Sequence, residues 1–287
     1  MNADASGTIV IFPFDLFGSA GTGAGAQLLG DAVREIIDDT EEETRPTRAD
    51  AFRGKLTVHE QVFETIEQVR GWRKQGRQLA RPALADGGFL LWLAGNHLAV
   101  IPVLEELGQE TLVVQFDAHL DIHDFHDTTA ELSHGNFLKH AEQLPRIVNL
   151  GHRDLLIPSD EVAEVFEAAY SAEQIAVRPE RVVEELRTRA SAAKRVWLDL
   201  DCDAFDPAFL PAVQHPLPFG LSPPVFLKLL DAVWSDKVAG MSISEFDPGR
   251  DMRDASLNLL GWLIEWLLLK RWNASPPAAA GGLLAPK

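Results

Sequence analysis

A single cysteine among 287 residues leaves nothing for an intramolecular disulfide to join, which fits a protein of a reducing, cytoplasmic setting. For the same reason no thiolate-rich zinc set can be assembled. Positive charge is in short supply. The 26 Lys and Arg stand against 43 Asp and Glu, for a formal net charge of -17. Such a surface repels phosphate backbones and argues against a nucleic-acid partner. It is compatible with a small cationic partner, although the run DDTEEE at Asp38–Glu43 supplies part of the excess as an ordinary solvated stretch. Long apolar runs are missing too. None approaches the length that spans a bilayer, and Met1 to Gly7 has neither the basic stretch nor the apolar core of a secretory signal, so no membrane partner is expected. The glycine-rich segment Gly18–Gly25 lacks the G-K-[ST] ending of a phosphate loop, which argues against nucleotide binding.

A hydrophobic content of 46% over this length is ample for one large core. Strand-like apolar runs fall at Thr8–Phe12, Gly88–Leu93, Thr111–Phe116, Arg146–Leu150, Arg195–Leu200 and Val238–Ser244. Between them helical spacing recurs at Ala26–Ile37, Val58–Lys74, Leu98–Leu107, Ser159–Tyr170, Pro179–Ala190, Ser222–Trp234 and Asp254–Trp272. The alternation predicts an α/β fold, a single domain over residues 1–272 with a mostly parallel central sheet and helices on both faces. The Pro/Ala/Gly-rich stretch 273–287 has too little patterning to fold and is expected to be disordered. In the last helix Trp262, Trp266 and Trp272 interleave with a leucine-rich stripe. Core packing explains the stripe, and its apolar excess points to a subunit contact.

Six metal-ligand types fall into three short clusters: His97 in Gly95-Asn96-His97; Asp117, His119 and Asp121 in DAHLD; and Asp201 and Asp203 in DCD. The second and third clusters each follow a strand, and the period of two in extended chain sets their ligands on a common face. Ligands leaving the carboxyl ends of strands sit where open α/β sheets place their sites. Four aspartates and two histidines converging without cations would repel one another and raise their own pKa values. Two divalent ions would cancel the four carboxylates. Oxygen-rich donors with two imidazoles suit Mn²⁺ best, with Fe, Ni, Co or Zn as alternatives.

Motifs in this order resemble the ureohydrolase family of arginase, agmatinase and formimidoylglutamase. They read AGNH at Ala94–His97, DAHLD at Asp117–Asp121, SHG at Ser133–Gly135, DLDCDAFDP at Asp199–Pro207 and EFDP at Glu245–Pro248. The resemblance covers roughly residues 8 to 270 and implies the arginase-like three-layer fold. It implies a binuclear metal centre with one ion on His97, Asp117, Asp121 and Asp201 and the other on His119, Asp117, Asp201 and Asp203. A hydroxide bridging the ions would attack the carbon of a small guanidino or amidino substrate and cleave a C–N bond. Asp121 would orient that hydroxide, His134 would be the catalytic histidine, and Glu245 would bind the guanidinium. Assembly as a homo-oligomer, a trimer or hexamer, is also implied.

Departures from the family pattern bear on substrate choice. Asn96 stands where Asp is usual, and Asp199 where Ser is usual. Gln214 and His215 replace the small residues of a turn that lies over the substrate, and are expected to narrow the pocket or touch substrate. Leu156 occupies the place where arginases hold the substrate α-amino group with an acidic side chain, which favours an agmatinase-like substrate over arginine. Asp124, with Asp127 and Glu131, is a candidate receiver for the far amine of such a substrate, set against an ordinary solvated acidic loop. Two other readings stay open: a metal amidohydrolase of the histone deacetylase type, and a silent family member serving as a binding or assembly subunit. Cys202, between two aspartates, is read as a packing residue pointing away from them.

Overall fold

The computed structural model describes residues 6–272; the expected disordered stretch 273–287 lies outside them. In chain order the strands and helices are β1 (Gly7–Phe12), α1 (Thr22–Glu42), β2 (Leu56–Glu60), α2 (Ile66–Arg70), α3 (Trp72–Leu84), β3 (Phe89–Ala94), α4 (Ile101–Leu104), β4 (Thr111–Phe116), β5 (Arg146–His152), α5 (Ser159–Val165), β6 (Ala168–Ser171), α6 (Ala172–Val177), α7 (Pro179–Ala192), β7 (Arg195–Asp201), α8 (Pro223–Val233), β8 (Val238–Ser244) and α9 (Ala255–Arg271). Every strand pairing is parallel, in an eight-stranded sheet ordered β2-β1-β3-β8-β7-β4-β5-β6. Strands β3, β8, β7 and β4 are therefore adjacent at the centre, although the chain visits them far apart. Their carboxyl ends carry the motifs.

Side chains alternate between two cores, as the pleat requires. Ile9, Ile11, Leu198, Leu200 and Ile243 face one side, where α1, α7, α8 and α9 cover them. Val10, Phe12, Trp92, Val113 and Trp197 face the other, beneath α3 and α4. This is the expected single α/β unit with helices on both faces. Among the described residues no helix is long and apolar enough to cross a membrane.

Two edges depart from the sequence expectation. The helix expected over Val58–Lys74 is instead the edge strand β2 followed by α2 and α3, with a new start at Thr65, whose hydroxyl accepts the Gln68 N–H in a capping box. The helix expected over Ser159–Tyr170 stops at Val165, and Ala168–Ser171 pairs with β5 as the opposite edge. Both strands are short and no residue in either is fully buried, so they lack the apolar run that marks the inner strands. The stretch expected as a helix over Leu98–Leu107 is a 3-10 turn at His97–Val100 and the short α4.

The glycine-rich segment has a packing role. Helix α1 starts at Thr22, earlier than expected, and a Cβ on Gly25 would lie 1.9 Å from the Phe246 carbonyl oxygen. Only a bare backbone lets α1 approach the loop after β8. Glycine to alanine inside a helix ordinarily stabilises by about 0.5–1 kcal/mol. Here Gly25→Ala is expected to destabilise by roughly 1–3 kcal/mol through overpacking. The midpoint of urea unfolding reads the sign directly; a gain in stability would mean that the loop yields.

Candidate metal centre

Local backbone aims the ligands. His97 opens the 3-10 turn after β3, Asp117 follows the last residue of β4, Asp201 ends β7, and Glu245 follows β8. Each aspartate at a strand end uses one oxygen on nearby N–H groups. Asp117 Oδ1 accepts the His119 N–H at 2.7 Å, Asp201 Oδ1 the Asp203 N–H at 2.9 Å, and Asp203 Oδ1 the Ala118 N–H at 3.1 Å. The last of these joins the β4 and β7 clusters. Asp121 and Glu245 have positive φ angles of 51° and 65°, conformations that β-carbon-bearing residues adopt at a cost and that concentrate at functional sites.

The expected ligands converge. His97 Nδ1 lies 3.1 Å from Asp117 Oδ2, 2.9 Å from Asp121 Oδ2 and 3.2 Å from Asp201 Oδ2. His119 Nδ1 lies 2.9 Å from Asp203 Oδ2 and 3.9 Å from Asp117 Oδ1. Two groups are compact enough to hold an ion: His97, Asp117 and Asp121, and Asp117, His119 and Asp203. Asp117 belongs to both. Asp201 joins the His97 side through Oδ2. Two buried atoms test the fit: His97 Nδ1 and Asp117 Oδ2 lie 3.1 Å apart without making a well-directed hydrogen bond. Each presents a lone pair that a divalent cation satisfies.

The electrostatics agree. Burial and the neighbouring carboxylates push Asp117 and Asp201 well above the usual carboxylate range. Burial opposes charge on His119, but the Asp203 carboxylate prevails and raises it to about 11. His97 is likewise raised well above its ordinary value, against burial, by Asp199 and Asp117. Left to its own field His119 keeps its proton at neutral pH, and Asp117 and Asp201 release theirs less readily than ordinary carboxylates; such protons occupy the lone pairs a cation needs. Burial raises the Cys202 thiol well above its usual range; the side chain is buried in the core packing, as expected.

A cavity of about 220 Å³ opens over the cluster, walled by His123, His134, Gly135, Val213, Gln214, His215 and Glu245. His134 Nδ1 lies 3.4 Å from Glu245 Oε1 and 3.3 Å from Ser19 Oγ. Burial disfavours its charge, yet Glu245 holds it above the ordinary histidine value. Glu245 Oε1 also accepts the His97 N–H at 2.8 Å. Gln214 donates to the Ala20 carbonyl and His215 packs 5.3 Å from the His134 ring, so the turn that sequence marked as narrowing the pocket is fastened across it. Burial and the neighbouring His134 lower the pKa of His215.

The acidic side chains of the loop after Asp121 lie outside the cavity wall. Asp124 does not line the cavity; its exposed carboxylate sits 3.4 Å from Lys139 Nζ. Asp127 and Glu131 are exposed and absent from the cavity wall as well. The loop after Asp121 turns these carboxylates to solvent, and His123 takes the wall position, 3.1 Å from Asp154. Sequence reasoning missed Ser19 and Asp154, which lie in no metal motif. Asn96 Nδ2 donates to the Leu16 carbonyl at 2.9 Å, tying down the loop that carries Ser19.

Fold and site define an α/β protein with a paired carboxylate–imidazole cluster at the carboxyl edge of a parallel sheet. The chain belongs to the arginase family, whose model matches residues 5–269. Arginase 1, mitochondrial, of Oryza sativa subsp. indica is 32% identical over 176 residues, 57% of this chain and 49% of that protein. The N(1)-aminopropylagmatine ureohydrolase of Thermus thermophilus is 28% identical over 205 residues, 64% of this chain and 65% of that protein. The chain thus spans about half the length of the plant relatives it matches. The agmatine ureohydrolase of Thermoplasma volcanium shares the fold with a TM-score of 0.75 at 22% identity, covering 94% of this chain and 90% of that one. Arginase from Bacillus subtilis does so with a TM-score of 0.75 at 20% identity, over 92% and 98%.

Because cations must displace protons held by raised groups, metal affinity is expected to rise with pH and to fall as acid refills the site. Calorimetric titration with Mn²⁺ in buffers of differing ionisation enthalpy measures the exchange. Net proton release is the expected result; an apparent enthalpy independent of buffer would contradict it.

Proposed function

We propose that this protein hydrolyses a C–N bond of a small guanidino or amidino compound at a binuclear, Mn²⁺-preferring centre, releasing urea or a related amide and an amine. The observation that carries the reading is Asp117, shared between two ligand groups that open into one cavity beside Glu245 and His134. His97, Asp121 and Asp201 would hold one ion with Asp117, and His119 and Asp203 the other. Bound there, divalent cations supply Lewis acidity and bring the pKa of a coordinated water toward neutrality. Four carboxylates with two imidazoles favour manganese.

The protein's own groups divide the remaining work. Glu245 offers a planar cation a bidentate acceptor, and its fixed bond to the His97 backbone keeps that acceptor next to the metal ligands. Asp121 lies at the cavity floor, placed to orient the attacking water. His134, held toward its protonated form by Glu245, is positioned to give a proton to the departing amine. Gln214 and His215 close over the substrate's tail. Leu156 is 78% exposed and no part of the cavity, so nothing there receives an α-amino group. An agmatinase-like substrate therefore ranks ahead of arginine, and the exposed Asp124 lies outside the cavity wall.

Turnover is tested by urea and amine release from manganese-loaded protein on agmatine, arginine, guanidinobutyrate, guanidinopropionate, formimidoylglutamate and free guanidine. Hydrolysis of one compound is expected, with arginine poor. Silence across the panel while two ions are bound would overturn the reading in favour of a binding role. His134→Ala should keep both ions and lose roughly 10²-fold or more in kcat; undiminished turnover would remove His134 from the chemistry.

We also place the protein in the cytoplasm as a homo-oligomer, a trimer or hexamer. Most of the α9 stripe is core, as expected, but Trp262 is 55% exposed and stacked on Trp266. Trp262→Glu is expected to lower the mass measured by light scattering. An unchanged mass would move the contact elsewhere.

A further inference from the structure

Four buried polar side chains form a row across the sheet beneath the metal centre. Ser242 on β8, Asp199 on β7, Gln115 on β4 and Asn149 on β5 are register partners in sequence, and each has zero accessible surface. Polar groups so deep in a sheet destabilise it unless they are paired. These are paired with one another. Ser242 Oγ donates to Asp199 Oδ1 at 2.5 Å, Gln115 Nε2 reaches Asp199 Oδ2 at 3.5 Å, and Asn149 Nδ2 donates to Gln115 Oε1 at 3.1 Å. Trp197 Nε1 donates to Ser242 Oγ at 3.0 Å from the layer below.

Two members of the row reach the ligand histidines. Asp199 Oδ2 lies 3.0 Å from His97 Nε2, on the side of the ring opposite the three carboxylates. Asn149 Nδ2 donates to the His119 carbonyl at 3.1 Å. A carboxylate oxygen at Nε2 holds a ring proton there, so Nδ1 is the nitrogen free to offer its lone pair to a cation among Asp117, Asp121 and Asp201. None of the four side chains touches the cavity, so the proposed reaction gives the row no direct work.

We propose that Asp199 is a positioning residue for the ion on the His97 side, fixing the imidazole through Nε2 and itself fixed by Ser242 and Gln115. This inference rests on the binuclear reading above. The residue that departs from the family's usual serine thus supplies a longer, carboxylate partner to the ligand ring. Its effect falls on one ion. His119 receives only a backbone contact from the far end of the row, so the second ion depends on Asp199 much less.

Metal titration of the purified wild type, Asp199→Ser, Asp199→Asn and Ser242→Ala tests it, using Mn²⁺ calorimetry and the visible bands of Co²⁺-loaded protein. Asp199→Ser is expected to weaken one of two sites roughly 10–100-fold and leave the other nearly unchanged. The Co²⁺ bands of only one ion should shift. Asp199→Asn keeps an acceptor oxygen and should restore part of the affinity. Ser242→Ala, a gentler change that serves if Asp199→Ser does not fold, should weaken the same site by a smaller factor. A role confined to folding stability would alter both sites in parallel or neither; either result overturns the proposal. Wild type binding fewer than two ions would instead sink the binuclear reading, a result that no variant is needed to see.

Discussion

Carboxylate repulsion is the constraint on which this structure turns. Asp117, Asp121, Asp201 and Asp203 are all buried, with His97 and His119 between them. Without positive charge such a cluster opposes folding, since burial and like charge both penalise its ionised form. The raised values at Asp117 and Asp201 express that opposition, and His119, held at about 11 by Asp203, offsets part of it with a retained proton. A pair of divalent ions removes it. The same charge that would destabilise the bare cluster becomes the affinity for metal, so folding and function are coupled at this point.

The sheet order turns distant sequence into a site. Placing β8 and β7 between β3 and β4 brings four strand ends into one row, and each end carries one motif. Rigid strands set the direction of the ligands, and positive-φ backbones set the last turn of Asp121 and of the neighbouring Glu245. Around that frame the loops do different work. Residues 16–21 are tied to Asn96, His134 and Gln214, so a single loop connects the neighbour of His97, the cavity histidine and the turn that walls the cavity.

Much of this was legible in the sequence because it is local. Strand runs ending in Asp117 and Asp201 announced both the parallel sheet and the ligand face, and the spacing in DAHLD and DCD placed their side chains. What escaped depended on pairing. The edge strands β2 and β6 are partly exposed on both faces and carry no apolar run, so their identity comes from neighbours that a linear reading does not supply. The row from Ser242 to Asn149 needs the register of four strands before its members meet. Asp124 shows a different limit: its chemistry is legible, but the loop's course, which sets its carboxylate beside Lys139, is not.

Anomalous diffraction at the manganese edge, from crystals of the Mn²⁺-loaded protein, tests the central claim most directly. Two peaks roughly 3.5–4 Å apart are predicted, one against His97, Asp117 and Asp121 and the other against Asp117, His119 and Asp203. A single peak, or none at these residues when manganese is saturating, would contradict a binuclear centre and with it the proposed chemistry.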